Sequence, residues 1–144
     1  MQQSYYVSDD KNLLSLTTIH QYLAQSYWAK NIPMSTLQTA INHSLTFGVY
    51  TSLNEQVGFA RVITDQATFA YLADVFILEQ HRGQGLSKKL LDYITSTPSL
   101  QGLRRMVLVT ADAHELYKKY NFKALNNPDG FMEIWQPNIY NENL

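Results

Sequence analysis

A mixed α/β fold with a partly antiparallel sheet is predicted from three features of this chain. Polar turns separate β-type runs in its first half, such runs alternate with amphipathic helical stretches in its second half, and the length suits one core. The predicted order is strand, two helices, three strands, helix, strand, helix, two strands. With 144 residues the chain reads as a single domain, 1–144, able to bury roughly two-thirds of its unfolded surface. Apolar residues make up 45% and charged residues 16%, a globular composition.

The elements follow in order. Ser4 to Ser8 is a tyrosine-rich run compatible with a strand, ended by Asp9-Asp10. Leu16, His20, Leu23 and Tyr27 recur at helical spacing, beside Leu13 and Ile19, and predict a helix over about 13–28. Asn31-Ile32-Pro33 ends it, and Ser35 is a candidate cap for a second helix carrying Leu37, Ile41 and Leu45. Phe47 to Tyr50, a turn near Asn54, and Val57 to Ile63 predict a hairpin. Phe69 to Leu78 is almost wholly apolar, as in a strand covered on both faces, and Asp74 is its one charge before the end.

After Gly85, the spacing of Leu86, Leu90, Leu91 and Ile94 predicts a helix with an apolar stripe, closed by Pro98 and Gly102. Met106 to Val109 predicts a buried strand, and Asp112-x-x-Glu115 has the form of a capping box opening a helix that runs to about Tyr120. Phe122 to Leu125 and Phe131 to Trp135 predict two last strands joined by Asn126-Asn127-Pro128-Asp129-Gly130.

Bulk composition excludes several functions. No cysteine is present, which removes disulfides, a thiolate nucleophile and zinc ribbons. A net charge of -1 provides no basic field for nucleic acid. The start Met1-Gln2-Gln3-Ser4-Tyr5-Tyr6 has neither the basic residues nor the apolar run of a signal peptide, and no stretch is apolar for long enough to span a bilayer, so a cytoplasmic protein without a membrane partner is expected. His20, His43, His81 and His114 lack metal-ligand spacing, and no metal is expected.

The strongest local signal is Gln80-His81-Arg82-Gly83-Gln84-Gly85-Leu86-Ser87, a strand exit running into a helix start. Unpaired amides there, the helix dipole, close backbone approach at glycine and the Arg82 guanidinium together suit a diphosphate. On the glycines alone, a turn that needs them only for backbone angles explains the pattern equally well. A Walker loop is excluded by the missing Gly-Lys-Ser/Thr, and Lys88 stands where a dinucleotide fingerprint has its third glycine.

Gln80-x-x-Gly83-x-Gly85 after a strand resembles the signature of the GNAT N-acetyltransferase superfamily, and the order of elements is similar. The stretch Ala113 to Phe122, with Leu116-Tyr117 followed by three residues and Asn121-Phe122, resembles that family's helix ending in Leu-Tyr, three residues, Gly-Phe. The resemblance implies a GNAT fold: a central mixed, mostly antiparallel sheet flanked by about four helices. It also implies acetyl-CoA as cofactor, with its pyrophosphate on Gln80, Arg82, Gly83, Gln84, Gly85, Leu86 and Ser87 and its pantetheine arm along the backbone near Phe76 and Ile77. Tyr117 would protonate the leaving thiolate, in direct transfer of an acetyl group to a primary amine. Without the upstream turn, Tyr117 reads as a half-buried core tyrosine. Asn121 replaces the family glycine but tolerates a left-handed helix exit, and Thr110 stands where many members place an asparagine.

The acceptor side is read from fewer residues. Asp74 suits a general base whose pKa burial would raise, or a buried carboxylate paired with Arg61 on the neighbouring strand, or both. Trp28, with Tyr22 and Tyr27, lies where the family builds its acceptor wall; Trp28 and Arg61 are the candidate acceptor residues, while Tyr27 is expected to pack. A small-molecule or peptide amine is the expected partner. A non-catalytic acyl-CoA-binding module is the alternative on the same fold, and exposed strand edges at the C-terminus favour a homodimer.

Overall fold

The structure, a computed structural model, describes residues 4–143; Met1, Gln2 and Gln3, part of the N-terminal reading above, lie outside it. Five strands, β1 (Tyr5–Ser8), β2 (Leu45–Thr51), β3 (Gln56–Thr64), β4 (Phe69–Ile77) and β5 (Arg105–Leu108), form one sheet in sequence order. Pairing is antiparallel from β1 to β4 and parallel between β4 and β5. The helices are α1 (Leu16–Leu23), α2 (Met34–Asn42), α3 (Leu86–Thr95) and α4 (His114–Lys118).

Each sheet face carries its own core. On one, Leu90, Leu91 and Ile94 of α3 are fully buried and join Phe47, Val49, Val62, Leu72 and Tyr117. On the other, Ile19 and Leu23 of α1 and Leu37 of α2 meet Phe59 and Phe76. The helical stripes in the sequence thus bury as the 3.6-residue period requires.

Three boundaries differ from expectation, each for a local reason. α1 spans only Leu16–Leu23. Ser15 caps its start, accepting from the Thr18 amide, while the Ser26 hydroxyl takes the Leu23 carbonyl and interrupts the helical ladder. Leu13 falls instead in a short 3-10 turn, Lys11–Leu13, capped by Asp10. α2 starts after Pro33 and has no side-chain cap, so Ser35 lies inside its first turn. α4 likewise lacks the Asp112/Glu115 capping box: it opens after Ala113, whose amide is held by the Thr110 hydroxyl at 3.0 Å.

The two C-terminal strands are also absent among the described residues. The chain after α4 makes no ladder, having only a 3-10 turn at Pro128–Gly130 before residues 131–136. Alternating apolar residues signal a strand, but a strand exists only through a hydrogen-bonded neighbour, and this segment has none.

Candidate active site

Two irregularities in β4 shape the site. Phe59 pairs with Phe76 and Arg61 with Ala73, so Ala60 faces both Asp74 and Val75: a β-bulge, with Asp74 at φ 57°. Aspartate tolerates this left-handed conformation better than most residues. Pairing of β4 with β5 then stops at Leu72–Leu108, and the strands part beyond it. The Leu78 amide bonds the Val57 carbonyl at 2.8 Å. By strand alternation the Ile77 backbone therefore points away from β3, towards the side β5 has left open. The adjacent Phe76 side chain is buried beneath Tyr22, the rings stacked at 4.0 Å.

Where β4 ends, Glu79–His81 form a 3-10 turn that carries exposed Gln80. Gly83 and Gly85 follow at φ 80° and 74°, a conformation in which a side chain is strained, and a Cβ on either would meet no heavy atom within 4 Å. The turn is thus open on its outer side. Gly85 is the N-cap of α3 and its carbonyl receives the Lys89 amide, so the amides of Leu86, Ser87 and Lys88 precede the helical ladder. Arg82 is tied back: its Nε donates to the Ile77 carbonyl at 2.9 Å and an Nη to the Tyr22 hydroxyl at 3.0 Å. These features fit a diphosphate with an attached arm running along β4.

The carboxylate of Asp74 is the centre of the second half. Its side chain is 8% exposed; one oxygen accepts from Arg61 Nε at 2.8 Å and the other from Trp28 Nε1 at 2.9 Å. Arg61 also donates to the Ser44 hydroxyl at 3.2 Å, which itself donates to the Ala40 carbonyl. The ion pair between neighbouring strands is therefore present, and Trp28 is brought to it by the early end of α1.

Tyr27 does not pack as expected. It is 73% exposed, with its ring edge-on to Trp28 at 5.1 Å, because the chain has already left the helix. Tyr117, 8% exposed, lies edge-to-face with Phe122 at 5.8 Å. Burial raises its phenol above the ordinary value, helped by the charges of Asp112 and Tyr27. Asn121 adopts φ 72° and provides the left-handed exit after α4.

Trp28, Arg61 and Asp74 are thus joined by hydrogen bonds, residues 76–87 run continuously from β4 through the glycine turn into α3, and Tyr117 lies in the α3-side core. Sequence reasoning missed the tie from Arg82 to Tyr22 and the part of Ser44. No local pattern signals either, because each contact spans 60 or 17 positions. Among the described residues no cluster of His, Asp and Glu could hold a metal, and no helix is long and apolar enough to cross a membrane.

Comparison with known proteins agrees with this geometry. The family model for the acetyltransferase (GNAT) domain matches residues 42–124, from the end of α2 past α4. A Gibberella zeae protein named as a candidate acetyltransferase is 36% identical over 153 residues, spanning 90% of this chain and 85% of its own. A crystal structure from Xanthomonas campestris, described as a candidate acetyltransferase of the GNAT family, is 50% identical and superposes with a TM-score of 0.92 over 95% of this chain and 96% of the other. A predicted acetyltransferase from Clostridium acetobutylicum, solved with acetyl-CoA, shares the fold at 16% identity, with a TM-score of 0.62 over 92% of this chain and 96% of the other. The family model covers the bulged β4, its parting from β5 and the glycine turn at α3, and the chain belongs to the GNAT acetyltransferase family.

Proposed function

We propose that this acetyltransferase is an N-acetyltransferase taking its acetyl group from acetyl-CoA and delivering it directly to a primary amine. The observation that carries the proposal is the open left-handed turn Gly83–Gly85 at the free N-terminus of α3, adjoining the unpaired edge of β4. The amides of Gly83 to Ser87 would hold the pyrophosphate, with Gln80, Gln84 and Arg82 at its rim. Arg82 must exchange the Tyr22 hydroxyl for a phosphate oxygen, or keep it and present its remaining N–H groups. Along β4, the outward Ile77 N–H would be offered to the pantetheine arm, its carbonyl being taken by Arg82 Nε, while Phe76 would support the arm from beneath. Support comes also from the Clostridium relative of the same fold, solved with acetyl-CoA.

When bound, acetyl-CoA supplies an activated acetyl thioester. The chain's own part is to position groups and hold protons. Tyr117 keeps its proton through the physiological range, because burial raises its pKa, and would donate a hydrogen bond to the departing sulfur. With no cysteine in the chain, no thiol can carry the acetyl group between substrates. Asp74 already accepts from Trp28 and Arg61, so its part is to fix those two side chains at the acceptor end, and the amine proton would leave through water or to a remaining lone pair of this carboxylate. Trp28 and Arg61 hold that carboxylate in place and border the acceptor.

Two measurements test this. Acetyl-CoA at a hundredfold its dissociation constant should add about 2.7 kcal/mol to stability in thermal melts. A Tyr117→Phe variant should keep that shift yet lose about 100-fold or more in turnover, measured by thiol release against an amine panel. No shift at millimolar cofactor would remove the donor assignment. Unchanged turnover in Tyr117→Phe would remove the role of the phenol and leave the acyl-CoA-binding alternative.

A further inference from the structure

Tyr22, the last residue but one of α1, reaches the glycine turn from 60 positions away in sequence. Its ring stacks on Phe76, centroids 4.0 Å and planes 11° apart, and stands 6.3 Å from the Trp28 ring, which Asp74 in turn anchors. Phe76 is 4% exposed, so moving the Tyr22 ring aside would uncover a buried aromatic face. The Tyr22 hydroxyl is therefore a fixed polar point at the end of a packed side chain.

Arg82 is its opposite, an exposed and long side chain with much rotamer freedom to lose. Two bonds hold it: Nε donates to the Ile77 carbonyl at 2.9 Å and Nη2 to the Tyr22 hydroxyl at 3.0 Å. Nε and Nη2 share one edge of the planar guanidinium. The other edge, formed by one N–H of each Nη, has no partner among the described residues. Such an edge is a fork able to take two phosphate oxygens at once. Holding one edge thus prepares the other.

We propose that Tyr22 is a positioning residue of the donor site, whose hydroxyl keeps hold of Arg82 when the cofactor binds and so presents the free guanidinium edge to the diphosphate. The inference rests on the acetyl-CoA reading above and decides between the two courses open to Arg82. Exchange would break a bond to form one that the free edge already offers, and would leave the Tyr22 oxygen without its donor. Retention needs no movement of the packed ring, and the ordering of Arg82 is complete before the ligand arrives.

Calorimetric titration with acetyl-CoA of wild type, Tyr22→Phe, Arg82→Ala and the double variant tests this, with melts in the absence of ligand to establish that each folds. Tyr22→Phe removes the hydroxyl and keeps the ring on Phe76. It should bind about three- to tenfold more weakly than wild type, because Arg82 must then be ordered on binding. In the Arg82→Ala background the same change should alter affinity by less than about twofold, a non-additivity that loss of packing would not produce. In steady-state assays the donor KM should rise with the dissociation constant, while kcat falls by less than about twofold. A Tyr22→Phe variant that binds as tightly as wild type or more so would show exchange and overturn the proposal. An equal loss with and without Arg82 would overturn it too, since Tyr22 would then act without Arg82. A wild-type chain that binds no acetyl-CoA would overturn the donor reading itself and this inference with it.

Discussion

Replacing Arg61 by leucine isolates the Arg61–Asp74 ion pair at the centre of the proposed acceptor side. The substitution keeps the aliphatic stem on β3 but removes both donors, leaving one oxygen of Asp74 with no partner and the Ser44 hydroxyl without the guanidinium. Breaking a buried ion pair costs about 3–5 kcal/mol, chiefly through the charge left behind. Here Arg61 and Asp74 retain 16% and 8% exposure and Trp28 still donates, so the lower end, about 3 kcal/mol, is expected. For a domain of this size that corresponds to a fall in Tm of roughly 10 °C. Urea denaturation of wild type, Arg61→Leu, Asp74→Asn and the double variant gives the coupling directly. The double variant should lose less than the sum of the singles by about 1–3 kcal/mol. A single-variant loss below about 1 kcal/mol, with additive effects, would show that the pair is solvated and does not hold the site.

Two further outcomes follow from buried and strained positions. Tyr50 is 1% exposed and its hydroxyl finds no partner among the described residues; burial, then the charges of Tyr6 and Asp10, push its pKa up to about 12. An acid whose folded pKa is raised contributes stability that is complete below its unfolded value near 10 and is lost as the pH rises towards 12. Tyr50→Phe should therefore gain about 1 kcal/mol at neutral pH and be less sensitive than wild type between pH 10 and 12, read by urea midpoints across that range. Gly85→Ala meets no steric neighbour, so its cost is the left-handed backbone alone, about 1 kcal/mol. Calorimetry should also show weaker acetyl-CoA binding; equal affinity would argue that the turn does not need that conformation for the cofactor.

Periodicity was sufficient to place β2, β3, β4 and α3 within a few residues, because their apolar residues alternate or recur against two large cores that reward them. It overextended the first helix. The competition between the Ser26 hydroxyl and the helical ladder for the Leu23 carbonyl is a local contest that hydropathy does not encode. It also assigned strands at Phe122 to Leu125 and Phe131 to Trp135, where the pattern is present and no partner strand stands among the described residues.

By itself the sequence determined the family frame: Gln80-x-x-Gly83-x-Gly85 ahead of an apolar stripe, and Leu116-Tyr117 ahead of Asn121-Phe122. Those features are local, set by which residues accept left-handed angles and which faces must be buried, so they can be read along the chain. Only the tertiary structure decided that Asp74 is held from two sides, that Tyr27 is exposed while Trp28 is tied down, and that Arg82 rests on Tyr22. Each of these depends on how far a bulge turns β4 and where α1 stops, and hence on contacts between residues that sequence distance keeps apart.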